Sequence, residues 1–254
     1  MSFTLVMLLL GALLLLVIGI NLIQQHKEQV ESLKRQEMAK QRAIIEESEQ
    51  ILSMAAVLPF TYILLTTLNQ RILDALAAAL QLDPKNADLA RRQADIQAQL
   101  SNLAKQTDQP SSLDSFMVPS NEKQILAMVQ TLKRLKAVVR NEHSKSRLPH
   151  ERYVEENHRI DQLQMRINST VLYERARTAM QLDQLGSAKQ LLSKLVATLN
   201  SQASADHLFR DTMLAKANEQ LEAIDSQQKS NLHQVSEKPQ KDDLDQLFQP
   251  KKKW

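Results

Sequence analysis

The hydrophobic and polar positions of this chain fall into three regimes. The first is an uncharged run from Phe3 to Ile23. As a helix rising about 1.5 Å per residue it reaches roughly 30 Å, the thickness of a bilayer's hydrocarbon core. A cleaved secretory signal would carry a basic n-region, a shorter apolar core and a small-x-small cleavage site. The leading MSFT has no basic residue and IGINLIQQ offers no such site, so the run predicts an uncleaved membrane anchor. The second regime is ILSMAAVLPFTYILLTTL, Ile51 to Leu68, without a charge for 18 residues. Its length alone admits a second span or a re-entrant segment. Ser53, Thr61, Thr66 and Thr67 dilute it, and Pro59 should bend or end a helix. The apolar stripe Leu65, Leu68, Ile72, Leu76, Ala79, Leu80 then continues past it at helical spacing. The pattern therefore favours two core helices meeting at Pro59.

The third regime is helical throughout. Residues 24 to 58 place Val30, Leu33, Ile44, Ile51, Met54 and Leu58 at heptad a and d positions, with Glu37, Lys40 and Glu47 interrupting the seam. One long helix leaving the membrane is expected, with self-association through that seam. TDQPSSLDSFMVPS, 107 to 120, reads as a linker. Beyond it Ile125, Met128, Val129, Leu132, Leu135, Val138 and Val139 mark one helix face, and Tyr153, Ile160, Leu163, Ile167 and Val171 mark the next. The short connection near Leu148 and Pro149 predicts an antiparallel pair. Leu191, Leu192, Leu195, Val196, Leu199 and then Leu208, Phe209, Leu214, Leu221, Ile224 supply two covering helices. After Ser226 the chain is polar and a disordered tail is expected. The expected fold is all-α: anchor 1–25, juxtamembrane helix and hairpin 26–106, linker 107–120, helical hairpin bundle 121–226, and tail 227–254.

Composition narrows function mainly by exclusion. The chain has three glycines, two of them in the anchor, leaving Gly186 alone. Glycine-rich phosphate loops and dinucleotide fingerprints need several close together and are excluded. The formal net charge of +3 is too small for a global nucleic-acid argument. Zero cysteine agrees with a reducing compartment. Orientation follows from the flanks of the anchor: Lys27, Lys34, Arg35, Lys40 and Arg42 follow it and no basic side chain precedes it. Positive flanks prefer the cytoplasmic side. The expectation is a single-pass inner-membrane protein with its N-terminus outside and the rest cytoplasmic.

LQLDPKNADL, with Ala79 and Pro84 at a small-residue and a proline position, resembles the junction between repeats in tetratricopeptide proteins. ARTAMQLDQLGSAKQLLSKLVATL, two helices about a turn at Gly186, resembles it again. The two lie about 100 residues apart, so no regular repeat period runs through the chain. The resemblance implies packed helical hairpins and partner binding.

Candidate chemistry is sparse. His143, His150 and His158 are seven and eight residues apart, whereas ligand pairs on one helix face are three or four apart. They read as surface histidines near a turn. The carboxylate pairs Glu46–Glu47, Glu155–Glu156 and Asp242–Asp243 are adjacent in sequence and diverge by about 100° on a helix, so none makes an acid–base pair. No catalytic, cofactor or metal residue is assigned. Two clusters remain as candidate sites. Lys133, Arg134, Lys136, Arg140, Lys145 and Arg147, preceded by Lys123, form a basic helix with Glu142 the single acid among them. Such a face suits anionic lipid headgroups, nucleic acid or an acidic protein, unless Glu151, Glu155, Glu156 and Asp161 of the next helix neutralise it. The tail DDLDQLFQPKKKW sets Asp243 ahead of Leu244, Leu247 and Phe248 on one helical edge and ends in Trp254. It is similar to the short acidic-amphipathic peptides by which chemotaxis and flagellar proteins dock response regulators. These features lead to one expectation: a membrane-anchored helical adaptor, not an enzyme, held in the bilayer through residues 3–23 and recruiting a cytoplasmic protein. The alternative is a membrane-tethered protein that binds nucleic acid or anionic lipid through 123–147.

Overall fold

A computed structural model describes residues 2–105, 113, 116–201 and 206–237. Among them are seven α-helices and no strand: α1 Ser2–Ser53, α2 Tyr62–Leu82, α3 Ala87–Leu103, α4 Glu122–Ser144, α5 His150–Gln181, α6 Leu185–Ser201 and α7 His207–Glu237. The chain forms two compact units. The first holds α1, α2 and α3, nearly all of α4 and the first turns of α5 to Glu156; the second holds α5 from Asn157, with α6 and α7.

In the first unit α1 meets α2 along one stripe. Gln41, Ile45, Ser48 and Ile51 are buried at spacings of three and four, the period that keeps residues on one helix face. Ile45 joins Ile72, Ala75, Leu76 and Ala79 of α2 and Leu89 of α3 in an apolar cluster flanked by Met38, Ile44, Leu52 and Ile96. The buried polar members of the stripe are satisfied locally. Ser48 Oγ donates to the Ile44 carbonyl at 2.8 Å and Gln41 Nε2 donates to Glu37 Oε1 at 2.6 Å.

The uncharged run 51–68 is not one helix. α1 ends at Ser53, a 3-10 turn spans Met54–Ala56, and Pro59 lies in the non-helical link before α2. Thr61 restarts the chain as N-cap, its Oγ1 accepting the Leu64 N–H at 3.1 Å. α2 is long and apolar enough to cross a membrane. Its Leu64, Leu68, Ile72 and Leu76 are nevertheless covered by the protein, and Arg71 is buried beside them. The α2–α3 connection is capped by Asn86, whose Oδ1 accepts the Leu89 N–H at 3.2 Å, so the LQLDPKNADL junction is a helical hairpin.

α4 and α5 are joined by residues 145–149, and His143 near the end of α4 stacks on Tyr153 in the first turn of α5, rings 4.4 Å apart and nearly parallel. Two helix ends close on left-handed residues other than glycine, Ser146 at φ 58° and Asp183 at φ 57°. At each, the residue after the left-handed one donates five residues back, Arg147 N–H to Glu142 O at 3.0 Å and Gln184 N–H to Ala179 O at 2.8 Å. Both are Schellman ends. The turn expected at Gly186 is therefore made three residues earlier by Asp183, and Gly186 sits inside the first turn of α6 with open space around its Cβ position.

In the second unit Met165, Ala176 and Ala179 of α5, Ala188, Leu192, Leu195 and Leu199 of α6, and Met213, Ala217 and Ile224 of α7 form one core cluster. The alanines let the helix backbones approach closely. α7 runs on to Glu237. Ile224 is its last residue in that core cluster, and no Gly or Pro interrupts the chain from there to Glu237, so local helix propensity favours the helix to that point.

Candidate functional site

The expected basic face of α4 divides into two kinds of residue. Arg134 donates through Nη1 to Gln50 of α1 at 2.8 Å. Arg147 Nη1 bridges Asp74 of α2 at 2.7 Å and Glu142 at 3.2 Å, and Lys145 reaches Glu142 at 3.2 Å. Lys136 is half-buried, whereas Lys133 and Arg140 are exposed. Cationic side chains in this segment thus serve partly as braces between helices. Two of the acids that brace them are Glu142 and Asp74. Glu155 is engaged with Arg152 at 3.1 Å, and Glu156 accepts the Thr61 hydroxyl at 2.7 Å.

Glu142 is the centre of this brace. It is 2% exposed and lies 3.7 Å from Arg71 of α2, within ion-pair range but too long for a hydrogen bond. Arg71 Nη2 meets Glu47 of α1 at 2.5 Å. Glu142 and Arg71 therefore tie α1, α2 and α4 together, with Lys145, Arg147 and Asp74 around the edge. The signal for it in the chain is a lone Arg71 inside an apolar stripe and a lone acid inside a basic one. A carboxylate held by surrounding cations at a helix junction acts as a tie between helices.

A concave surface lies elsewhere in the first unit. A trough of about 1130 Å³ runs between α1 and the start of α3, floored by Met38, Ala43, Ile45 and Leu89. Arg92 of α3 crosses it to Glu49 of α1 at 2.5 Å. Elsewhere on α1 the Gln41 amide, and then the Lys40 ammonium, hold the Glu37 carboxyl below its ordinary pKa. The rim mixes both signs of charge, which suits a polar peptide surface better than one anion.

Two of the three histidines come together. The His143 and His150 rings lie 5.4 Å apart beside Tyr153, and His143 Nδ1 is 3.0 Å from the Leu148 carbonyl oxygen. His158 Nε2 lies 3.1 Å from Gln162 Nε2. Among the described residues no group of three or more His, Cys, Asp or Glu side chains could hold a metal ion. The Glu46–Glu47 pair also diverges: Glu47 turns to Arg71 while Glu46 lines the trough. In the second unit the main polar tie is Arg166, which bonds Asp206 at the start of α7 through Nε at 2.8 Å and lies 4.9 Å over the Phe209 ring. The tail residues Asp243, Leu244, Leu247, Phe248 and Trp254, with Asp242, lie outside the described residues.

No family model, curated protein or solved structure matches this chain.

Proposed function

We propose that the chain is a single-pass membrane-anchored helical adaptor. Residues 3–23 cross the inner membrane with the N-terminus outside, and the two helical units with the tail recruit a cytoplasmic protein. The observation that carries this reading is the continuity of α1: one unbroken helix, Ser2–Ser53, leads from the uncharged run into the packed core of the first unit. Positive residues follow the run at once, beginning with Lys27. The tetratricopeptide-like junction supports partner binding by hairpins, since its residues form the α2–α3 turn beside the trough. The tail supplies a second contact through Leu247 and Phe248.

A reporter that fluoresces only in the cytoplasm, fused after Trp254, is expected to be bright, and a phosphatase active only in the periplasm is expected to be silent there. The reverse pattern overturns the orientation. Leu247→Ala with Phe248→Ala is expected to abolish co-purification of the partner and leave membrane insertion unchanged; undiminished capture removes the tail from the mechanism.

A second reading, binding of anionic lipid or nucleic acid by α4, rests on the exposure of Lys133 and Arg140. Its weakness is that Arg134, Lys145 and Arg147 are engaged within the unit. Phosphate binding falls steeply with ionic strength, so a salt titration with liposomes and with duplex DNA separates it from the adaptor.

A further inference from the structure

We propose that α1 between the uncharged run and Glu37 pairs with the same segment of a second copy of this chain, as a short parallel coil with Ile23, His26, Val30 and Leu33 on its seam. The inference rests on the anchor reading above and goes beyond it by naming a partner and a register.

Residues 21 to 36 of α1 are all exposed. Ile23 is 71%, Val30 51% and Leu33 63% exposed. Val30 and Leu33 lie in line with Gln41, Ile44, Ser48 and Ile51, the stripe that α2 covers further along the same helix. The chain therefore covers this stripe from Gln41 onward and leaves it bare nearer the anchor. Between 24 and 36 every residue except Val30 and Leu33 is polar, so the apolar seam is narrow, as in a two-stranded coil, and not the broad face of a bundle helix.

Charge and geometry select a second copy in parallel. With Val30 at a and Leu33 at d, Lys27 and Lys34 occupy e, and Gln29 and Gln36 occupy g. Across a parallel dimer Gln29 faces Lys34, a compatible pair. Across an antiparallel one Lys27 would oppose Lys34. A common anchor imposes the parallel arrangement and places the same residues at the same height in every copy. Confinement to one bilayer also raises the effective concentration of the partner segment. His26 at a d position adds a polar group of the kind that selects register.

The chain contains no cysteine, so single-cysteine scanning needs no background removal. Full-length Val30→Cys, Leu33→Cys, Glu28→Cys and Ser32→Cys are expressed, membranes are isolated and washed with carbonate, and the pellets are oxidised with copper phenanthroline. Disulfide-linked dimers are expected for Val30→Cys and Leu33→Cys, with loss of the dimer band for Glu28→Cys and Ser32→Cys on the outer face. Adding Val30→Lys to the Leu33→Cys chain is expected to remove its dimer band while the protein stays in the pellet. Equal cross-linking at all four positions, or none at any with the protein in the pellet, overturns the seam and leaves the anchor standing. Protein released to the supernatant overturns the anchor reading and the proposal with it.

Discussion

Glu142 shows how much one buried carboxylate can do in a helical unit. It is surrounded by Arg71, Lys145 and Arg147, of which Arg71 is itself buried. Removing one partner of a buried ion pair leaves a charge uncompensated, and Arg71 would keep only Glu47. Glu142→Ala is therefore expected to destabilise the chain by about 3 kcal/mol. Lys133→Glu and Arg140→Glu, at exposed positions, should each cost less than about 0.5 kcal/mol. Urea denaturation of the detergent-solubilised chain, followed by helix circular dichroism, checks both. Equal costs for the two groups would show that Glu142 is not a tie between helices. Glu37 offers a pH-dependent counterpart. Its carboxyl is held below the ordinary value first by the Gln41 amide. The folded state thus gains from the ionised form above the unfolded pKa and loses that gain as pH falls through the lower folded one. Gln41→Ala should return the Glu37 titration, followed by NMR, towards the ordinary carboxylate range.

At the scale of elements, the helix ends decide where each hairpin turns. Ser146 and Asp183 adopt left-handed conformations that cost an L-residue about 1 kcal/mol and cost glycine little. Ser146→Gly and Asp183→Gly are expected to stabilise by about 1 kcal/mol each. Gly186→Ala should also stabilise, by about 0.5–1 kcal/mol, because that glycine is helical and its Cβ would meet nothing within 4 Å. A loss of stability in Gly186→Ala would move the turn back to where the sequence pattern first placed it. Thr61→Ala removes both the α2 cap and the hydroxyl donated to the buried Glu156, at an expected cost of about 1–2 kcal/mol. Thr61→Ser should restore most of it, and thermal melts of the two variants side by side test the assignment.

For the whole molecule, the adaptor reading makes the uncharged run the sole attachment, since α2 spends its apolar face on core contacts. Deletion of residues 1–24 is expected to release a helical protein into the soluble fraction, and its retention in washed membranes would assign α2 a role in the bilayer. The helical class, its break at Pro59 and a helical junction in LQLDPKNADL, together with an uncharged run long enough to span a bilayer, were legible because helix periodicity and proline act within a few positions of themselves. The basic stretch of α4 was legible as composition. The pairing of Arg134 and Arg147 with other helices was not, because their partners Gln50 and Asp74 lie tens of residues away and meet them only when the helices pack. The same limit hid the tie between Arg71 and Glu142 and the assignment of residues 126–156 to the first unit. Local pattern, then, determined which segments are helices and roughly where they end. Tertiary structure alone decided which charges turn inward, because that depends on the azimuth at which one helix meets another.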